Sequence, residues 1–210
     1  MRRRFGMFVA FSVVLVATAA SAQEQAAGAS RWEVTGFPGG GIVFTAGSEG
    51  AAGKEPNFGD YALGASLTFN FNQYWGVEGE VGGAFGIDQR LNFGRGRSVG
   101  DVSPPNMLAY HGNIVFYPLR NDRRFVPYAT GGAGGLTMFD KQEVGFTGDE
   151  TFLTGNVGGG LKWYLSDRWG VRGDYRFFAI DSKDNAPAFF GRDTRYGHRV
   201  YAGLIFSVAR

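Results

Sequence analysis

The chain has 210 residues, with 21 Lys or Arg against 19 Asp or Glu, so its formal charge is close to neutral at +2. It contains 35 glycines, 16% aromatic residues and no cysteine. The lack of cysteine excludes disulfides, thiolate metal sites and a lipoprotein anchor. The glycines lie within apolar, aromatic segments, which argues against a disordered chain and is typical of β-barrels.

The first 22 residues have the three-part pattern of a secretory signal peptide. Arg2, Arg3 and Arg4 give a basic start, an apolar run follows over 8–20, and Ala20-Ser21-Ala22 supplies small residues for cleavage. The run is shorter than the ~20 apolar residues of a membrane-spanning helix, so we expect cleavage rather than anchoring. Because three arginines leave with this segment, the mature chain is slightly acidic, and nucleic-acid binding is not expected.

Alternation between apolar residues and polar or small residues dominates the remaining chain, which predicts β-strands. The clearest runs are 61–72, 75–88, 153–165 and 169–177. Four further segments fit the alternation less cleanly, namely 31–45, 106–118, 125–139 and 195–208. These segments predict eight strands, each long enough to cross a membrane at a tilt, which takes ~9–11 residues.

The connections between these strands alternate in length. The short polar ones are 72–74, 119–124 and 166–168. The long ones are 46–57, 89–105, 140–150 and 182–194. Short turns at one end and long loops at the other predict an all-β, antiparallel up-and-down barrel, with the turns on the periplasmic side and the loops outside the cell. An even number of strands places both termini on the periplasmic side.

Alternation alone does not decide which face of the barrel is outside. A soluble lipocalin-like barrel would place the charges in water and the apolar face around a ligand. Aromatic residues cluster beside the short turns, which favours a girdle at a water–lipid interface and therefore a membrane barrel. The residues expected in this girdle are Trp75, Tyr117, Tyr128, Trp163 and Trp169.

Two hairpins share a polar turn followed by Trp-Gly-Val-x-Gly-acid, at 75–80 and 169–174. Val126-Pro127-Tyr128 opens a glycine-rich segment, and Tyr201-Ala202-Gly203-Leu204-Ile205-Phe206 forms the final strand. With the signal peptide, these features resemble the outer-membrane protein β-barrel domain family of small porin-like and OmpA/OmpX-type proteins. The resemblance covers essentially all of the mature chain. Members commonly end on a phenylalanine, whereas here four residues follow Phe206.

The resemblance implies an eight-stranded transmembrane barrel in the cell outer membrane, monomeric and inserted by the outer-membrane assembly machinery. It implies outer-membrane lipid and lipopolysaccharide as its surroundings. We therefore expect a cleaved signal peptide over 1–22, a short periplasmic segment over 23–30 and the barrel domain over 31–210.

The inward face of the predicted barrel carries charges that we expect to form one network. Its members are Glu33, Glu78, Glu80, Lys162, Arg172, Asp174, Arg176 and Arg199. Our first interpretation is that they neutralise one another, because unpaired ions in a dry interior are costly, and this favours a structural or surface-interaction protein. The alternative is a gate whose ion pairs rearrange, giving a narrow channel for ions or small polar solutes. Eight strands leave too little space for a general diffusion pore.

A lipid A-modifying enzyme is the third alternative. His111 and His198 are the only histidines, and neither has a serine two positions away on the same face, so we expect no enzyme. No cofactor or metal site is predicted. Arginines of the long loops could contact the phosphates of lipopolysaccharide. The candidates for these contacts are Arg90, Arg95, Arg97, Arg192 and Arg195.

Overall fold

The alternating sequence forms strands whose two faces meet different surroundings. The computed structural model describes residues 31–45, 58–86, 89–92, 98–102, 105–139, 148–181, 183 and 194–208. The predicted signal peptide and the segment 23–30 lie outside the described residues. In the described part of the chain, no helix is long and apolar enough to cross a membrane.

Eight strands close into an antiparallel barrel, which confirms the predicted fold. They are Trp32–Thr45 (β1), Phe58–Asn70 (β2), Trp75–Gly86 (β3), Met107–Phe116 (β6), Phe125–Met138 (β7), Glu150–Tyr164 (β8), Trp169–Ile180 (β9) and Arg195–Ser207 (β10). The order around the barrel is β1-β10-β9-β8-β7-β6-β3-β2, and pairing of β1 with β10 closes it. The interval predicted as one long loop, 89–105, contains a further two-stranded sheet of Gln89–Asn92 (β4) and Ser98–Val102 (β5). These two strands are too short for alternation to reveal them.

The two ends of the barrel differ in their connections. At one end, called the turn end below, lie the connections 71–74, 117–124 and 165–168 together with the first residue of β1 and the last of β10. At the opposite end, the loop end, lie the strand ends that flank the intervals 46–57, 87–106, 139–149 and 181–194. Outer-membrane barrels direct their short turns towards the periplasm.

The outer wall of the barrel is apolar and the interior is polar. On β8, Leu153, Val157 and Leu161 are exposed on the wall, with Leu153 at 66%. Asn156 and Lys162 of the same strand are buried, with Lys162 at 1%. A soluble barrel has the reverse arrangement, so this wall suits lipid rather than water.

Four aromatic pairs surround the turn end on the outer wall, each joining neighbouring strands. They are Trp32–Phe69 at 4.6 Å, Trp75–Phe116 at 4.7 Å, Phe125–Trp163 at 5.4 Å and Trp169–Phe206 at 5.0 Å between ring centroids. The predicted positions of Trp75, Trp163 and Trp169 at this rim agree with their exposure. The prediction is wrong for Tyr117 and Tyr128, which are 0% and 4% exposed and point into the barrel. Their place in the alternation decides this: Tyr117 shares its face with Val115, and Tyr128 shares its face with Val126.

Glycines on the inward face leave room for the large side chains of the interior. A Cβ added at Gly160 of β8 would lie 2.6 Å from the Tyr128 hydroxyl and would also collide with the backbone oxygen of Gly173. Gly155 of the same strand faces outward, and a Cβ there would meet nothing within 4 Å. The glycine content therefore has a steric role on one face that it lacks on the other.

We predict that Gly160→Ala destabilises the barrel by about 1–3 kcal/mol, because the added methyl group overpacks the interior and displaces Tyr128. Gly155→Ala, on the same strand but facing outward, should change the stability by less than about 0.5 kcal/mol. Urea unfolding of both variants in lipid vesicles measures the difference. Equal effects at the two positions would contradict the steric role.

Candidate functional site: the charged barrel interior

All eight predicted interior charges are buried within the barrel. They come from β1, β3, β8, β9 and β10, and each has a relative exposure of 6% or less. Asp60 and Arg195 are also buried, so the described inward charges comprise five acids and five bases. The formal charges of the described interior residues therefore cancel, which limits the cost of burying so many ions.

A first cluster lies near the turn end around Glu33 of β1. Lys162 Nζ donates to Glu33 Oε2 at 2.5 Å, and the Tyr164 hydroxyl donates to Glu33 Oε1 at 2.6 Å. Lys162 also donates to the Tyr117 hydroxyl at 3.0 Å, which donates in turn to Asn70 Oδ1 at 2.8 Å. Asn70 Nδ2 completes the ring with a 3.3 Å bond to Glu33. Side chains from four parts of the chain thus close the barrel at this level.

A second cluster fills the middle of the barrel and contains two arginines and two carboxylates. Arg172 Nη1 lies 2.5 Å from Glu78 Oε2, and Arg176 Nη2 lies 2.7 Å from Glu78 Oε1. Asp174 accepts from both arginines, at 2.8 Å from Arg172 and 2.9 Å from Arg176. Each carboxylate therefore bridges both guanidinium groups, and the four ions form one unit.

Polar side chains make further hydrogen bonds to the donors and acceptors of this central unit. The Tyr128 hydroxyl accepts from Arg172 Nε at 2.7 Å and donates to Asp174 Oδ2 at 2.6 Å. Thr68 donates to Glu78 Oε2 at 3.2 Å, and Arg176 donates to Asn156 Oδ1 at 3.0 Å. Charge-assisted bonds of this kind are stronger than neutral ones, so the unit is fixed from several strands.

A third cluster lies one layer nearer the loop end. Glu80 Oε1 is 2.5 Å from Arg199 Nη2, although the two groups lack the alignment of a hydrogen bond. The Arg199 guanidinium also lies 4.1 Å from the Tyr201 ring and 4.9 Å from the Phe178 ring. His111 Nε2 contacts the Thr154 hydroxyl at 2.7 Å, and its ring packs against Phe178 at 5.2 Å.

An apolar layer occupies the interior at the loop end, and the sequence did not predict it. Its fully buried members include Ile42, Phe44, Met107, Leu136, Met138, Phe152 and Ile180. These residues occupy the inward face, where the alternation predicts polar residues. Their exposure of 5% or less shows that the layer is packed rather than open.

The structure corrects one predicted lipopolysaccharide contact. Arg195 is the first residue of β10, and its side chain is fully buried, so it is not available at the surface. It shares the inward face with Arg199 and Tyr201. Arg90 lies in β4, whereas Arg95, Arg97 and Arg192 lie outside the described residues. Within the described part of the chain, no three His, Asp or Glu side chains are placed to hold a metal ion.

We predict that Lys162→Met destabilises the barrel by about 3–5 kcal/mol, because it leaves Glu33 buried without its cation. Combining it with Glu33→Gln should recover most of the loss. Unfolding of the two single variants and the double variant in urea, in lipid vesicles, gives the coupling energy. Losses that simply add would show that the two groups do not interact.

The chain is similar to known outer-membrane barrels. A family model of the outer membrane protein beta-barrel domain matches residues 12–204. Neisserial surface protein A superposes with a TM-score of 0.58 and 12% identity, covering 86% of this chain and 99% of that chain. OprG from Pseudomonas aeruginosa gives a TM-score of 0.48 and 17% identity, covering 85% of this chain and 96% of that chain.

The N-terminal β-barrel domain of OprF from Pseudomonas aeruginosa gives a TM-score of 0.48 and 11% identity, covering 85% of this chain and 99% of that chain. No curated protein matches the chain. Identities this low show the fold alone, and a fold of this kind hosts many functions. The family match covers most of the sequence and almost the whole barrel, and the chain belongs to the outer membrane protein beta-barrel domain family.

Proposed function

We propose that this outer-membrane barrel has a structural or surface-interaction role and that its interior does not conduct solutes. The observation that carries the proposal is that buried ion pairs or buried apolar side chains lie inside the barrel at three levels along its axis. The Glu33 cluster occupies the turn end, the four-ion unit occupies the middle, and the apolar layer occupies the loop end. Such a barrel acts through its outer wall and its loops, because loops positioned by a rigid scaffold carry function.

A narrow channel is the second candidate, and one observation favours it. Thr35 Oγ1, Asn113 Nδ2, Thr130 Oγ1 and Ser207 Oγ are buried without a hydrogen-bond partner in the protein. Buried polar groups of this kind are usually satisfied by water. Water inside the barrel would allow a small leak if the ion pairs rearranged, but the apolar layer would still have to open.

We infer that the protein is not an enzyme. His111 is 5% exposed, and its Nε2 contacts the Thr154 hydroxyl inside the barrel. His198 lies on the outer wall, where its Nδ1 contacts the Tyr175 hydroxyl at 2.9 Å. Neither environment supplies an exposed nucleophile beside a base with an orienting acid. Mass analysis of lipid A from cells with and without the protein tests this inference, and a modified lipid A would overturn it.

The remaining partners belong to the same proposal. The outer wall is surrounded by outer-membrane lipid, and Arg90, Arg95, Arg97 and Arg192 remain candidate contacts for lipopolysaccharide phosphates. We further propose that the outer-membrane assembly machinery inserts the protein, that the protein is a monomer, and that 1–22 is removed as a signal peptide.

We predict that the folded protein gives no single-channel steps in planar bilayers and does not accelerate the swelling of liposomes in small sugars. The reason is that the buried ion pairs and the buried apolar side chains would have to move apart before a solute could pass. A general porin reconstituted in the same lipid is the positive control, and heat-modifiable migration on a gel verifies folding. Reproducible steps that change when Arg176 is replaced by Lys would establish the narrow channel instead.

A further inference from the structure

The turn end carries more basic than acidic residues. Its described charged residues outside the interior are Arg31, Arg120, Asp122, Arg123, Arg124, Asp167 and Arg168. Arg120 pairs with Asp122 at 2.6 Å, which cancels one charge of each sign. Arginine therefore prevails over acid at this rim, with five arginines against two aspartates.

Three of these arginines occupy equivalent positions. Arg31, Arg124 and Arg168 each stand directly before the first residue of a strand, at β1, β7 and β9, and all three are exposed. Each backbone oxygen accepts a hydrogen bond from the end of the neighbouring strand. The bonds are Asn70 N to Arg31 O at 2.8 Å, Tyr164 N to Arg124 O at 2.9 Å and Ser207 N to Arg168 O at 2.8 Å.

The fourth position of this pattern differs from the other three. Tyr74 stands directly before β3, and its backbone oxygen accepts from Tyr117 N at 2.8 Å. The backbone geometry is thus repeated four times, but only three of the repeats present a cation. The Tyr74 position supplies a comparison site that lacks an arginine in this place.

Each of the four positions adjoins one aromatic pair of the turn end. Arg31 precedes Trp32 of the Trp32–Phe69 pair, Arg124 precedes Phe125 of the Phe125–Trp163 pair, and Arg168 precedes Trp169 of the Trp169–Phe206 pair. The Arg31 guanidinium lies 5.5 Å from the Phe69 ring centroid, so the charge is held at the level of the rings. Tryptophan rings settle where headgroups meet acyl chains, so the Arg31 guanidinium lies near the depth of lipid phosphates, and Arg124 and Arg168 adjoin rings at the same rim.

We propose that Arg31, Arg124 and Arg168 form three equivalent binding sites for the headgroups of anionic phospholipids in the leaflet at the turn end. A guanidinium group matches the geometry of a phosphate and stays charged at all physiological pH values. An anionic headgroup is favoured over a zwitterionic one because it brings no ammonium group to oppose the arginine. All three side chains are exposed at the rim, and the Arg31 guanidinium lies beside the outward-facing Phe69 ring.

The protein contains its own probe for this proposal. All four tryptophans of the chain belong to the turn-end pairs, so their fluorescence reports the lipids at this rim. The folded protein is placed in vesicles of phosphatidylethanolamine with a minor fraction of phosphatidylglycerol. In matched samples, either one lipid or the other carries brominated acyl chains, which quench tryptophan fluorescence on contact.

Two single-tryptophan variants separate the sites. One keeps Trp169, beside Arg168, and the other keeps Trp75, beside Tyr74, with the remaining tryptophans replaced by Phe. We expect Trp169 to be quenched by brominated phosphatidylglycerol well beyond the bulk fraction of that lipid, and Trp75 to follow the bulk fraction. Adding Arg168→Gln to the Trp169 variant should lower the preference about fivefold, and raised salt should weaken it.

The controls assign each outcome. Heat-modifiable migration verifies that every variant is folded, and a Trp32 variant with Arg31→Gln repeats the test at a second site. Inorganic phosphate at constant ionic strength should leave the lipid preference unchanged. Three results would overturn the proposal. They are equal quenching at Trp169 and Trp75, a preference for phosphatidylglycerol that survives Arg168→Gln, and displacement of that lipid by inorganic phosphate. Binding of an acidic soluble polymer without any lipid preference would also overturn it.

Discussion

The central constraint on this structure is the mutual neutralisation of charges inside a narrow barrel. Glu78 and Asp174 each bridge Arg172 and Arg176, and the four groups have almost no exposure. Burying an unpaired ion at such a position would cost a large part of the free energy of folding, so each charge requires its partners. The strands that supply these groups, β3 and β9, lie on opposite parts of the barrel order. The ion pairs therefore tie together strands that have no backbone hydrogen bonds between them.

The same constraint fixes the register of the strands. A slip by one residue would turn Glu78 and Glu80 towards lipid and Val77 and Val81 into the charged interior. Charges on the lipid face of a membrane barrel are costly. If both faces of a strand were apolar, contact with lipid would give only a weak preference for one face over the other. The buried charges thus specify which face of each strand is inside the barrel. They have this role even if a barrel with apolar residues in place of an ion pair would be as stable as the natural one. Inward glycines such as Gly160 complete the arrangement, because they leave space for tyrosines whose hydroxyls bond to the ions.

The sequence predicted the fold because alternation with a period of two is local. It also indicated the inward face of β3 and β9, where Glu78, Asp174 and Arg176 alternate with apolar or small residues. Tyr117, Tyr128 and Arg195 were assigned wrongly because proximity to a turn or a loop was given more weight than alternation. Counting by twos from His111 and Asn113 turns Tyr117 inward, and counting from Arg199 turns Arg195 inward. Val126 shares the face of Tyr128 but is apolar, so only the structure shows that this face of β7 is inward.

Other features depend on contacts between distant residues and were not predictable from one sequence. The apolar layer places Phe44 and Phe152 on a face that is polar elsewhere, so alternation in polarity breaks down there. The pairing of Trp32 with Phe69 and of Trp169 with Phe206 depends on strand register, as does the fourfold repeat at the turn end. Sequence spacing gives the strands, but only their pairing shows which rings and charges meet.

The most direct test of the central claim is the unfolding free energy of the Glu78→Gln variant in lipid vesicles. This change keeps the size of the side chain and removes the carboxylate charge that both central arginines share. A loss of about 3–5 kcal/mol, largely restored by adding Arg172→Met, is expected if the charges neutralise one another in a dry interior. A loss below about 1 kcal/mol, as for ion pairs exposed to water, would contradict the account.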